Sequence, residues 1–227
     1  MTQAPASRMS PSRVRLLQLL ADAGAPAGDD RLPCLSERLG RLFGLGDTMN
    51  LEAALGFRGR PGGLGGTATL ERLCQELARI RRTLTAKIQQ YGDDTDRSAP
   101  AFAPLQEAYL ARQRELAAAS RQFRSKVRSA LAEQGPALAK LGELDAVFDH
   151  TLAAFTSQGF ANIPRVLEQR FQALQTSATE APATNAGGWF HQYCEEAQGL
   201  LLAELDVRLE PALGLLEAFH NEVSNTP

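Results

Sequence analysis

Only three cysteines, three histidines and 6% aromatic residues occur in this 227-residue sequence, and each shortage removes a class of protein. Cys34, Cys74 and Cys194 are odd in number and far apart, so they build no disulfide framework and no metal or redox spacing. They read as reduced core residues in a reducing compartment. No apolar run approaches the roughly 18 residues that a membrane helix needs. Arg8, Arg13 and Arg15 lie around a short apolar stretch, Val14 to Ala21, in the manner of a signal sequence. Gln18 and Asp22 interrupt it, and the segment reads better as an amphipathic first helix. No segment alternates with period two over a useful length, which argues against a sheet.

What the chain does have is alanine, leucine, glutamate and arginine, residues that lose little freedom in a helix. Ser10-Pro11 is a helix start, and Leu16, Leu17, Leu19 and Leu20 give the first helix its apolar face. Short helices are expected over Leu35 to Phe43 and from about Asp47 to Leu55. FRGRPGGLGG, residues 57–66, reads as a linker. Leu70, Leu73, Leu77, Ile80, Leu84, Ile88 and Tyr91 form a heptad-like stripe on a long helix from Thr67 to Tyr91. A second long helix is expected from Phe102 to Glu133, ended or kinked at Gly135-Pro136.

Beyond it, Leu138, Leu141, Leu144, Phe148, Leu152 and Phe155 mark one face of a further helix, stopped near Gly159. Asn162 and Pro164 start another, with Val166, Leu167, Phe171 and Leu174 as its core face. After the loop at 177–188, a last helical stretch begins near Trp189 and is punctuated by Pro211. The expected fold is all-α: a small N-terminal unit over residues 1–56, the linker 57–66, and an elongated antiparallel bundle or coiled-coil hairpin over 67–227. Each single apolar stripe must be buried against another.

The net charge of −2 hides a split. Residues 1–128 hold 20 basic and 13 acidic side chains; residues 129–227 hold 4 and 13. Much of the positive charge sits in RQRELAAASRQFRSKVR, residues 112–128. At 100° per residue from Arg112, the apolar Leu105, Tyr109, Leu116, Phe123 and Val127 fall at about 20° to 60°, and Arg114, Arg121, Arg124 and Arg128 at about 120° to 200°. This arginine ridge could hold a nucleic-acid backbone without base specificity, or an acidic protein. It could equally pair with an acidic face of the chain itself. Glu195, Glu196, Asp206 and Glu210 share one arc of the last helix, and pairing within the molecule or across a homo-oligomer would neutralise the ridge.

The other motifs are weak. GLGGTA, residues 63–68, fits a dinucleotide fingerprint only in letters, because no strand precedes its glycines. His191, Cys194 and Glu195 lie within one helical turn, but no second ligand pair completes a zinc site. DDTD, residues 93–96, lacks the glycine and distal glutamate of a calcium loop. No catalytic constellation, cofactor or metal is expected.

LSERLGRLFGLGDTMNLEAALG, residues 35–56, with arginine-rich helices after it, resembles a proteobacterial domain-of-unknown-function family, number 3348. The likeness rests on Leu39, Leu42, Gly44, Asp47, Leu51, Ala53, Ala54 and Leu55. Members usually carry tryptophan near positions 42 and 45, where this chain has leucine. The family in turn resembles an accessory component of type III Zorya anti-phage defence systems, in which a stator-like membrane complex works with cytosolic partners. The resemblance implies such a cytoplasmic, non-enzymatic partner protein, and no catalytic residue comes with it.

Overall fold

A computed structural model describes residues 10–25, 44–59, 65–97, 99–180 and 188–225. Among the described residues the protein is all-α, with no strand. The helices are α1 (Pro11–Asp22), α2 (Leu45–Gly56), α3 (Gly66–Gln89), α4 (Phe102–Ala132), α5 (Pro136–Ala161), α6 (Ile163–Glu180) and α7 (Gly188–Asn225). The helix expected over Leu35 to Phe43 lies outside the described residues, as do Cys34 and Gly63-Leu64 of the glycine motif.

Local chemistry sets the boundaries. Ser10 is extended and Pro11 occupies the first turn of α1, where its missing N–H costs nothing. At the start of α2 the Gly44 N–H donates to Asp47 Oδ2 at 2.9 Å. Gly92, at φ +91°, turns the chain after α3; a Cβ there would stand 2.5 Å from Cys194 Sγ, so the position accepts only glycine without rearrangement. Gly135, at φ 137°, followed by Pro136, ends α4 and starts α5. Pro211, in contrast, does not break α7, a single helix of 38 residues. Buried Leu209, Ala212, Leu215 and Leu216 surround it, and their packing offsets the hydrogen bond that proline removes.

The chain forms two compact units that interleave along the sequence, whereas the division expected from composition runs in chain order. One comprises Met1–Ala27, Lys87–Arg114 and Ile163–Arg208. Its core is aromatic: the Phe171 ring packs on those of Phe102, Trp189 and Tyr193 at centroid distances of 5.6, 5.3 and 5.2 Å. Tyr91 donates its hydroxyl proton to the Leu105 carbonyl at 3.1 Å. The other unit comprises Gly28–Ala86, Glu115–Asn162 and Leu209–Pro227. Its core is leucine-rich, from Leu70, Leu73, Leu77 and Leu84 of α3 to Phe123, Val127 and Leu131 of α4 and Leu215 and Phe219 of α7. Of the cysteines expected in the core, Cys194 is buried but Cys74 is exposed.

Candidate functional site

In the leucine-rich unit α4 and α5 meet at Gly142 of α5, where the Arg128 carbonyl oxygen lies 3.5 Å from where a Cβ would be, an ordinary contact distance. That approach brings two carboxylates of α5, one turn apart, onto half of the arginine ridge. Arg124 donates from Nε and Nη2 to Asp145 at 2.8 and 2.6 Å, and from Nη1 to Asp149 at 2.6 Å. Arg128 Nη1 meets both carboxylates at 3.0 Å. The side chains of Arg124 and Asp145 are only 15% and 12% exposed. The partner of Arg124 and Arg128 is therefore α5. Arg121 is exposed and folds back on the Ala117 carbonyl at 3.1 Å. Arg114 is exposed in the aromatic unit.

The acidic arc of α7 is likewise partly committed. Glu196 takes two hydrogen bonds from Arg170 of α6 at 2.6 Å and one from Gln192. Burial works to raise the Glu196 pKa, but these bonds outweigh it and hold the carboxyl below its ordinary value. Glu195 is exposed beside His191. Asp206 lies 3.8 Å from Arg15 of α1, and Glu210 belongs to the leucine-rich unit.

One charged group escaped sequence reading. Glu204 of α7 is completely buried in the aromatic unit. Its Oε1 accepts from Arg208 Nε at 2.7 Å and its Oε2 from Gln113 Nε2 at 2.7 Å. Burial raises its pKa, with Arg208 and Gln113 opposing in part. Its position signalled this: Ala197, Leu201 and Glu204 follow a four-three spacing, so the glutamate occupies a core register. The Tyr109 hydroxyl, also buried, finds no hydrogen-bond partner among the described residues.

The apolar stripe of α5 departs furthest from expectation. Leu138 is buried, but Leu141, Leu144 and Leu152 are only half-buried, and Phe148 and Phe155 are 38% and 48% exposed. The face read as core is thus substantially open to solvent. Leu141, Phe148 and Phe155 are seven residues apart and Leu144 falls between them, the pattern of a helix–helix seam. On another side of α5, α2 packs through the bond from Thr151 Oγ1 to Asp47 Oδ1 at 2.9 Å. The Gly44 and Thr151 hydrogen bonds hold the Asp47 carboxyl below its usual range. An open cleft of about 370 Å³ lies between α2 and α5, bordered by Asn50, Phe57, Glu143, Val147 and His150.

Among the described residues no three His, Cys, Asp or Glu side chains converge as metal ligands, and no helix is long and apolar enough to cross a membrane. His191 and Cys194 part company, one exposed and the other buried. The family model for a protein of unknown function, DUF3348, matches residues 1–221. The chain belongs to the DUF3348 family. No curated protein and no solved structure matches it. The DUF3348 match takes in both the α4–α5 ion-pair cluster and the open stripe of α5.

Proposed function

We propose that this DUF3348 protein is a non-enzymatic cytosolic accessory protein that docks a helix of a companion protein, within a Zorya-type anti-phage system. The observation that carries the docking reading is the open stripe Leu141, Leu144, Phe148, Leu152 and Phe155. It spans about 21 Å of α5 at 1.5 Å per residue. Two phenylalanines left partly in water, in line with half-buried leucines at helix-seam spacing, form the kind of apolar seam by which helices recognise one another. The resemblance of the family to a Zorya accessory component supplies the class of partner, a protein encoded beside it.

The test is co-purification of the tagged chain with its companion proteins, with Phe148→Asp/Phe155→Asp as the perturbation. Phe148 and Phe155 keep 38% and 48% of their area in water, so docking would bury on the order of 80 Å² of each, worth about 2 kcal/mol. The double variant is expected to retain wild-type far-UV circular dichroism and lose the companion, with affinity down at least 100-fold. Retention of the companion by the double variant would refute the reading, and so would a wild-type chain that binds none of them.

A further inference from the structure

A different surface of the leucine-rich unit carries an inference independent of that docking reading. α3 presents Arg72, Arg79 and Arg82, all exposed. With Arg79 as zero, Arg72 falls at about +20° and Arg82 at about −60°, with Gln75 at about −40° and Thr83 at about +40°. Exposed Glu71 lies just outside this arc, at about −80°, and the acid on the other border is Glu76, at about +60°. Its carboxylate is taken by Lys126 of α4, whose Nζ lies 2.5 Å away. Within the arc itself every charged side chain is an arginine.

The three arginines also differ from the four that are tightly paired. Arg124, Arg128, Arg170 and Arg208 are held by carboxylates. Arg72, Arg79 and Arg82 make no ion pair among the described residues. Their guanidinium forks keep all their donors for an external anion. Arg72 and Arg79 are about 10.5 Å apart along the helix, the axial rise of about three phosphates of one duplex strand. Gln75 and Thr83 supply the neutral donors that accompany arginine at phosphate contacts. The arc holds no aromatic side chain on which unpaired bases could stack.

We propose that this face of α3 binds the phosphate backbone of duplex nucleic acid without reading its sequence. It replaces the α4 ridge as the phosphate contact, since Arg124 and Arg128 of that ridge are occupied by Asp145 and Asp149. Three phosphate contacts give a slope of about −2.7 in log K against log salt, or roughly 40-fold weaker binding at 200 mM than at 50 mM salt.

The experiment is fluorescence anisotropy of labelled duplex and single-stranded DNA of one length, with the full chain at both salt concentrations. Vesicles containing one-third phosphatidylserine form a parallel arm. Duplex binding is expected in the micromolar range, with that salt dependence and no preference among sequences. Arg72→Glu/Arg79→Glu/Arg82→Glu is expected to abolish it. Replacing the same three by lysine should preserve it, as should Arg114→Glu/Arg121→Glu, within about threefold. The proposal is overturned by absent duplex binding at 50 mM salt, by tighter binding of single strands, or by vesicle binding without DNA binding. Equal loss in the Arg114/Arg121 variant would overturn it too, because net charge would then be acting instead of this face.

Discussion

Asp145→Ala is the perturbation whose cost the structure sets most directly. Asp145 accepts from both Arg124 and Arg128, and with Asp149 it forms a four-charge cluster between α4 and α5. Side-chain exposures in the cluster run from 12% to 28%, so its pairs are neither freely solvated nor fully buried. Exposed pairs contribute about 0.2–1 kcal/mol, and removing one partner of a buried pair costs about 3–5 kcal/mol. Removing Asp145 leaves two guanidinium groups sharing Asp149 beside a close helix contact, and the expected loss is about 2–3 kcal/mol. For a chain of this size that is a drop of about 4–12 °C in melting temperature. Arg121→Ala, on the same helix but tied only to its own backbone, should cost less than about 0.5 kcal/mol.

Urea and thermal unfolding followed by far-UV circular dichroism give both numbers. A double-mutant cycle of Asp145→Ala with Arg124→Ala should return a coupling above about 1 kcal/mol. If Asp145→Ala costs no more than Arg121→Ala, the cluster is a surface feature. The claim that it neutralises the ridge would then fail.

Two further outcomes follow from single residues. Because Glu204 has a raised pKa, the folded state binds its proton more tightly than the unfolded state does. Its contribution to stability should fall as pH rises from about the ordinary glutamate value of 4.5 toward that raised pKa. Monitored by Trp189 fluorescence, the stability of wild type relative to Glu204→Gln should decline through that window; a rise would mean that Arg208 outweighs burial. Gly24 and Gly92 share φ +91°, but a Cβ at Gly24 meets nothing within 4 Å, whereas one at Gly92 strikes Cys194. Gly24→Ala should cost about 1 kcal/mol from backbone strain and Gly92→Ala at least about 1 kcal/mol more. Equal melting temperatures would show that the Gly92 turn has room to shift.

The helices were legible because their signals are local. Leucine spacing in α3, proline at the first turns of α1 and α5, and Gly135 between α4 and α5 act within a few residues of themselves. The candidate surfaces were less legible because they depend on which helix lies opposite. The ridge on α4 was visible as an arc, but nothing within residues 112–128 says that Asp145 and Asp149 cover its Arg124 and Arg128 end. Conversely, the α5 stripe has the periodicity of a core face, and periodicity cannot report whether the chain supplies enough neighbours to cover it. Charge complementarity and apolar complementarity are properties of pairs of elements, so each pattern admits an internal and an external partner. In this fold the internal partner takes half of the arginine ridge and leaves much of Phe148 and Phe155 in water. The surface to test first for recognition is thus the apolar one, although the charges in the sequence drew attention elsewhere.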